Sequence, residues 1–194
     1  MTELPPTELP QDPALAAAVL EIESHVAGGG WDQPARLYAL VETARIVAEQ
    51  PELAAEAGID APSQNGSFTP VEQDRLPDQP LESTLQEIVW PPEVTGCAAV
   101  LERLVLPPEV DAEIPDDPVE AEKFAHDHPL RQEVRIVAGA TRAGATYSAL
   151  RLRSHDDDQS VVDGTDLVPG LLDLLLGTLA EDLEPDLPSD PQEQ

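Results

Sequence analysis

The sequence predicts a single α+β domain with a mainly antiparallel sheet of about five strands, flanked by helices. The chain has 194 residues, 41% of them hydrophobic, which is enough for one domain with its own core. Amphipathic helical patterns stand near both ends of the chain, and strand-like runs lie between them. Consecutive strands with helices at both ends are typical of an α+β protein and not of a parallel nucleotide-binding sheet.

The first helix is predicted to begin at Asp12, whose side chain can cap it, with Pro13 in the first helical position. Apolar residues then recur at helical spacing up to the glycines at 28–30, which end the helix because glycine tolerates positive φ. The residues that follow include β-favouring Tyr and Val and predict a strand over about 36–42. A helix over the same residues stays open as an alternative.

Thr43 is predicted to cap a second helical segment that runs through Ala57 with a break at Pro51. Residues 68–75 predict a short strand, and Pro70 within it favours a position at the edge of the sheet. An edge strand can accept proline because one of its sides needs no hydrogen-bonded neighbour.

The middle of the chain predicts a short helix over about 81–88, stopped by two prolines, and then a long strand. Residues 96–106 are apolar on both faces apart from Glu102 and Arg103. A strand with that pattern is expected at the centre of a sheet that is covered on both sides.

Residues 131–140 and 145–153 predict a β-hairpin. Placing the apolar residues of both strands on one face requires a loop with an odd number of residues. The three residues at 142–144 supply that loop, with Gly144 in the left-handed conformation.

The opposite face of this hairpin carries a cluster of positive charge. The register places Arg135 opposite Arg151 and Glu133 opposite Arg153, so the first pair lacks an acid. In a chain of net charge -29, such a cluster attracts an acidic partner or an acidic part of the same chain. We therefore assign Arg135, Arg151, Arg153 and the adjacent Tyr147 as partner-binding residues. Internal neutralisation by the acidic segment 107–129 stays open as the alternative.

Thr165 or Asp166 is predicted to cap a final helix that reaches about Leu183 and has a wide leucine face. The resulting order of elements is α-β-β-α-β-β-β-α. This order resembles the roadblock-type adaptor fold and, less closely, secretion-chaperone-like folds, by analogy of topology alone.

Three segments rich in proline and acid lie outside the regular elements. Residues 1–11 and 184–194 predict disordered tails around a domain spanning 12–183, and residues 107–129 predict an acidic loop within it. Residues 107–128 alone contribute a net charge of -7. Much of the negative charge is therefore expected on segments without regular structure.

Nucleic-acid binding, membrane insertion and a bound cofactor are not predicted. The chain has six aromatic residues and a net charge of -29, so it offers few stacking platforms and repels phosphates. The first residues show neither a basic nor an apolar signal region, so we expect a cytoplasmic protein. The single cysteine, Cys97, lies among apolar residues and is expected to be a small buried side chain.

Three histidines suggest a different chemistry. His126 and His128 would project on one side of an extended backbone, and the register brings Arg131 near His155 and the aspartates at 156–158. Nitrogen and oxygen ligands could converge there, as in a metal-dependent enzyme. The spacing matches no zinc motif and runs of acid are usually solvated, so we assign no metal site.

Five stretches of the chain resemble one protein family. They are GGGWDQPARLYALVETA (28–44), WPPEVTGCAAVLERLVLP (90–107), HPLRQEVRIVAGATRAG (128–144), SALRLRSHDDD (148–158) and DLVPGLLDLLLGTLAEDL (166–183). Over roughly residues 12–183 the chain is similar to a family of conserved actinobacterial proteins of this length, named after a propionibacterial locus. That family has no established activity, so the resemblance implies no catalytic or binding residue.

The sequence thus predicts a non-enzymatic cytoplasmic protein-binding module, adaptor or chaperone-like, that binds a protein through the Arg-bearing face of the 131–153 hairpin. It is compatible with a homodimer formed through the sheet or the terminal helix. Two alternatives stay open. One is a metal-dependent enzyme with ligands around His126, His128 and His155, and the other is a regulator that binds a basic partner through its acidic tails.

Overall fold

A computed structural model of the chain describes residues 10–56, 58 and 66–180. The predicted tails at 1–11 and 184–194 lie outside these residues, apart from residues 10 and 11. The predicted helix ends at Ala57 and Leu183 also lie outside them.

The described residues form one antiparallel sheet of six strands flanked by helices, which confirms the predicted α+β class. The strands are β1 (Arg36–Glu42), β2 (Phe68–Glu72), β3 (Gly96–Val105), β4 (Gln132–Thr141), β5 (Thr146–Leu152) and β6 (Val162–Gly164). Their spatial order is β2-β1-β3-β4-β5-β6. The helices are α1 (Pro13–Ala27), α2 (Thr43–Glu49), α3 (Pro51–Glu56), α4 (Leu81–Glu87), α5 (Pro118–Asp127) and α6 (Pro169–Leu179). None of these helices is long and apolar enough to cross a membrane.

The sheet is covered by helices on both faces. α1 packs on one face, chiefly against β4 and β5, and α4 and α6 pack on the other. Residues of β3 alternate between the two cores, so that Ala98 and Val100 pack on the α1 side while Cys97 and Ala99 pack on the α6 side. This arrangement explains why the strand is apolar on both faces and confirms its predicted central position.

α1 begins as its sequence predicts. Asp12 Oδ1 accepts hydrogen bonds from two backbone N–H groups of the first turn, at 2.9 and 3.1 Å. The helix crosses β4 at Gly139, where a Cβ atom would stand 2.7 Å from Val19 Cγ2. Glycine at this position therefore sets how closely α1 approaches the sheet.

The strands lie close to where the sequence predicts them. Residues 36–42 form a strand, β1, and not a helix. β2 lies at the edge of the sheet with Pro70 in it, as predicted, although it ends at Glu72 and not at 75. β4 and β5 pair in the predicted register, with Arg135 opposite Arg151, and Gly144 in their loop has a φ of +86°.

The segment 107–129 differs from the acidic loop that the sequence predicts. Residues Pro108–Glu113 form a short 3-10 helix, and α5 follows. Asp117 caps α5 by accepting hydrogen bonds from two backbone N–H groups, at 3.0 and 3.1 Å, with proline in the first helical position. This is the same start signal as in α1, and the high acid and proline content concealed it.

Two predicted caps are wrong, and the sheet has one strand more than the roughly five that the sequence predicts. Thr43 is the first residue of α2, and its Oγ1 donates to the Ser67 carbonyl at 3.1 Å instead of capping the helix. α6 begins at Pro169, so neither Thr165 nor Asp166 caps it. The sixth strand, β6, is only three residues long and pairs with β5, and a run that short has no periodicity to detect.

Candidate functional site

Arg135 and Arg151 lie inside the protein. Their exposed fractions are 0% and 2%. Both stand on the sheet face that α1 covers, because alternate residues of β4 and β5 point to that face. The expectation that they form an exposed surface with an unmatched charge is therefore wrong. A period of two separates the faces of a strand, but it does not tell which helix will cover each face.

Arg151 is held mainly by Glu23 of α1. Its Nε and Nη2 donate to the two carboxylate oxygens of Glu23 at 2.6 and 2.8 Å. Nη2 also donates to Asp158 Oδ1 at 2.9 Å, and Nη1 to Asp156 Oδ1 at 3.4 Å. The hydrogen bonds to Glu23 raise the pKa of Arg151 above its ordinary value, although burial opposes this. The guanidinium therefore stays charged at every pH at which the protein is folded.

Arg135 joins β3 to the loop between α1 and β1. Its Nη2 and Nε donate to Glu102 Oε1 at 2.7 and 3.2 Å, and Nη2 also donates to the Gly30 carbonyl. The guanidinium carbon lies 4.4 Å from the centre of the Trp31 ring, a cation–π contact. Glu102 Oε2 accepts a further hydrogen bond from the Asp32 backbone N–H at 2.7 Å. One carboxylate thus binds both the strand arginine and the loop backbone.

Arg153 completes this arrangement on the solvent side. It donates to both carboxylate oxygens of Asp32 at 2.9 Å and to Glu133 Oε2 at 2.5 Å. Asp32 has a φ of +64°, and its hydrogen bonds from Arg153 lower the pKa of its carboxyl. Arg153 also lies 5.6 Å from the Trp31 ring centre, and Trp31 Nε1 donates to Asp156 Oδ2 at 2.9 Å. Trp31 is therefore held by two arginines and a carboxylate.

We call these groups together the arginine cluster. It comprises Arg135, Arg151, Arg153, Trp31 and the carboxylates of Glu23, Asp32, Glu102, Glu133, Asp156 and Asp158. None of these carboxylates comes from the 107–129 segment, which the sequence named as the possible internal neutraliser. Because every arginine of the cluster has a carboxylate partner, the cluster fixes the α1–β1 loop to the hairpin. Arg135 Nη1 is buried without a hydrogen-bond partner, but an arginine held charged by carboxylates is a poor candidate for acid–base or nucleophilic chemistry.

Tyr147, the fourth predicted partner-binding residue, is also buried. Its hydroxyl donates to Asp163 of β6, and burial raises the pKa of Tyr147 to about 12, with the Asp163 hydrogen bond acting in the same direction. The contact holds the short edge strand to β5.

The three histidines do not form a metal site. His126 lies in the last turn of α5 and His128 just after it, where its Nδ1 accepts from the Leu130 backbone N–H at 3.2 Å. His155 Nδ1 lies 3.0 Å from Ser154 Oγ. In residues 10–56, 58 and 66–180, no group of three or more His, Cys, Asp or Glu could hold a metal ion. The hypothesis of a metal-dependent enzyme therefore has no ligand set in that part of the chain.

Arg142 has a role that sequence analysis missed. From the hairpin loop it donates to the carbonyls of Val94 at 2.8 Å, Trp90 at 2.9 Å and Pro91 at 3.0 Å. It also donates to the Leu179 carbonyl at 2.5 Å, at the end of α6, where a cation is favourable. No local pattern indicates these contacts, because the acceptors lie on segments far away in sequence.

A second candidate site is the surface of residues 115–130, which we call the α5 surface. No residue of α5 is buried, although the helix is ten residues long. Val119 is 75% exposed and Leu130 is 55% exposed. An open cavity of about 480 Å³ is lined by Pro115, Glu120, Lys123, Phe124, Asp127, His128 and Pro129. The α5 surface therefore combines exposed apolar side chains with a concave region.

The fold and the two sites define an α+β protein with one antiparallel sheet between helical layers, an internally paired arginine cluster and an exposed helix. A model of the PPA1309-like protein family matches residues 15–180, and the chain belongs to this family. This confirms the family resemblance of the sequence. No curated protein and no solved structure matches the chain. The likeness to the roadblock-type fold thus remains an analogy of element order.

Proposed function

We propose that this chain is a non-enzymatic, cytoplasmic protein-binding module of the adaptor type, and that it binds through the α5 surface. One observation carries the proposal, namely that α5 buries none of its ten residues. Most helices in proteins are stabilised by packing an apolar face against the rest of the fold. α5 packs only loosely, since Ala121, Phe124 and Ala125 are half-buried and its other residues are exposed, so much of its apolar surface is available to another protein.

The shape and composition of the α5 surface support this proposal. The rings of Phe124 and His128 line the cavity with their centroids 5.1 Å apart and their planes tilted by 43°, and Val119 and Leu130 are exposed to solvent. Exposed apolar side chains on the same segment as a concave region are typical of interaction sites. The arginine cluster takes a structural part in this proposal, since it holds the sheet and α1 together as a rigid support.

A photocrosslinking amino acid at Val119 tests the proposal in lysate of the native organism. We expect a discrete crosslinked product whose partner can be identified by mass spectrometry. The matched controls carry the same group at Val89, which is 65% exposed, and at Val162, which is 58% exposed. Equal products from all three positions, or none from Val119, would contradict the proposal.

A substitution gives an independent test. Val119→Ser should remove most of the crosslinking from a neighbouring probe at residue 123, because it deletes an exposed apolar contact. The free energy of unfolding should stay within about 0.5 kcal/mol of wild type, since the side chain packs on little of the fold. Val89→Ser provides the control at the other exposed valine.

A further inference from the structure

We infer that the α5 surface binds a basic segment of a partner protein, in which lysines or arginines flank an apolar side chain. The inference rests on the proposed function and goes beyond it by naming the chemistry of the partner. Three properties of the structure lead to it: unpaired acids around α5, the use of the chain's own cations elsewhere, and an apolar cavity with acids at its rim.

The acids around α5 whose side chains the structure describes form no ion pairs. Residues 107–130 contain eight carboxylates and one lysine, a net charge of -7. Of the side chains described in this segment, none takes part in an ion pair. The arginine cluster differs sharply, because all of its cations are paired. The negative charge of the α5 segment therefore remains available to an external cation.

Few of the chain's own cations are available to pair with the acids around α5. All ten of its Lys and Arg lie in the described residues. Six of them form ion pairs with carboxylates elsewhere, and Arg131 and Arg142 donate to backbone carbonyls. Arg75 and Lys123 are the two that remain, and Lys123 is part of α5 itself. Neutralisation of this surface must come largely from another molecule.

The cavity indicates the rest of the partner's chemistry. Phe124, Pro115 and Pro129 give it apolar walls, and Glu120 and Asp127 lie on its lining as well. An apolar side chain with a neighbouring Lys or Arg satisfies both features at once. Nucleic acids and anionic lipid surfaces carry the same sign of charge as α5 and are repelled.

Fluorescence anisotropy with the full chain tests the inference. The probe is a labelled peptide of about 16 residues with leucines at helical spacing and lysines between them, and the comparison peptide has glutamates in place of the lysines. We expect the lysine peptide alone to bind, with an affinity that falls as salt rises. Reversing two charges at the cavity, Glu120→Lys with Asp127→Lys, should weaken binding about tenfold or more at low salt.

Because the whole chain is acidic, the control must change charge equally at another place. Glu52→Lys with Glu87→Lys alters two exposed acids on α3 and α4 by the same amount. We expect this control to change the affinity by less than about twofold. The neutral pair Glu120→Gln with Asp127→Asn should give an intermediate loss, and it guards against a folding defect in the reversed variant.

The possible outcomes separate the inference from the proposed function. Equal weakening in both charge-reversed variants would mean diffuse attraction and would overturn the inference. Salt-independent binding of both peptides would also overturn it. A partner crosslinked at Val119 that carries no basic segment would overturn the inference alone, whereas the absence of any Val119 product would overturn the proposed function.

Discussion

Glu23 of α1 and Arg151 of β5 form a two-point ion pair across 128 residues of sequence, at 2.6 and 2.8 Å, with both side chains almost fully buried. The pair lies where α1 crosses the sheet. Its hydrogen bonds are directional, so they fix the orientation of the helix in addition to the apolar packing. Burying two charges is costly, and good hydrogen-bond geometry offsets that cost. Removing one member should therefore lower the free energy of unfolding by more than the net contribution of the pair, because the other charge stays buried without its partner.

Glu23→Gln should lower the free energy of unfolding by about 2 to 4 kcal/mol, because it leaves the buried Arg151 charge with only the more exposed Asp156 and Asp158. Urea titration at neutral pH measures the loss. The matched control is Glu21→Gln, an exposed position on the same helix, which should change stability by less than about 0.5 kcal/mol. A loss at Glu23 no larger than this control would show that the pair does not support the fold.

The ion pair of Asp32 with Arg153 should make stability depend on pH. The folded-state pKa of Asp32 lies below its ordinary value of 3.8, because Arg153 hydrogen-bonds to the ionised carboxyl. Its contribution is therefore present above the unfolded pKa and is lost as pH falls through the folded pKa. Asp32→Asn keeps a residue that tolerates positive φ. Wild type should melt above this variant at neutral pH, and the difference should shrink below about pH 4. A difference that is constant with pH would refute the assignment.

Arg142→Ala should lower the free energy of unfolding by about 2 to 4 kcal/mol, since four carbonyls lose a charged donor. Thermal melts and urea titration both report the loss. Arg75→Ala removes an exposed arginine and should change stability by less than about 0.5 kcal/mol. If the two variants were equally stable, the contacts of Arg142 would not contribute to the free energy of unfolding.

Gly139→Ala should destabilise the protein by about 1 to 3 kcal/mol, because the added Cβ would stand 2.7 Å from Val19 and 3.1 Å from Leu15. Gly177 in α6 is the contrasting position, because a Cβ added there would meet no neighbouring group within 4 Å. Gly177→Ala should stabilise the fold by about 1 kcal/mol through helix propensity. Calorimetry of the two variants gives shifts of opposite sign. No loss of stability in Gly139→Ala would mean that α1 does not approach β4 as described.

Some features of this fold could be predicted because their causes are local. The start of α1 follows from Asp12 and its proline, and the pairing of Arg135 with Arg151 follows from alternation and from Gly144 in the loop. A one-residue slip in that hairpin would move the apolar residues to the wrong face, so the sequence permits one register.

The candidate site could not be predicted in the same way. The partners of the hairpin arginines, such as Glu23 and Glu102, are far from them in sequence, and only the packing of α1 and β3 brings them together. The sequence could show that one face of the hairpin is basic, but not that it is covered. For α5 the signal at Asp117 was local, and it was obscured by the disorder-like composition around it.

The protein carries a natural fluorophore on each side of its sheet. Trp31 lies in the arginine cluster on the α1 side, while Trp90 is buried on the other side with its Nε1 donating to Thr178 at 3.1 Å. These are the chain's two tryptophans. Replacing one of them leaves a single tryptophan. The fluorescence of each variant then reports the unfolding of the helical layer in which that tryptophan lies. Comparing their unfolding curves then tells whether both layers detach from the sheet in one step.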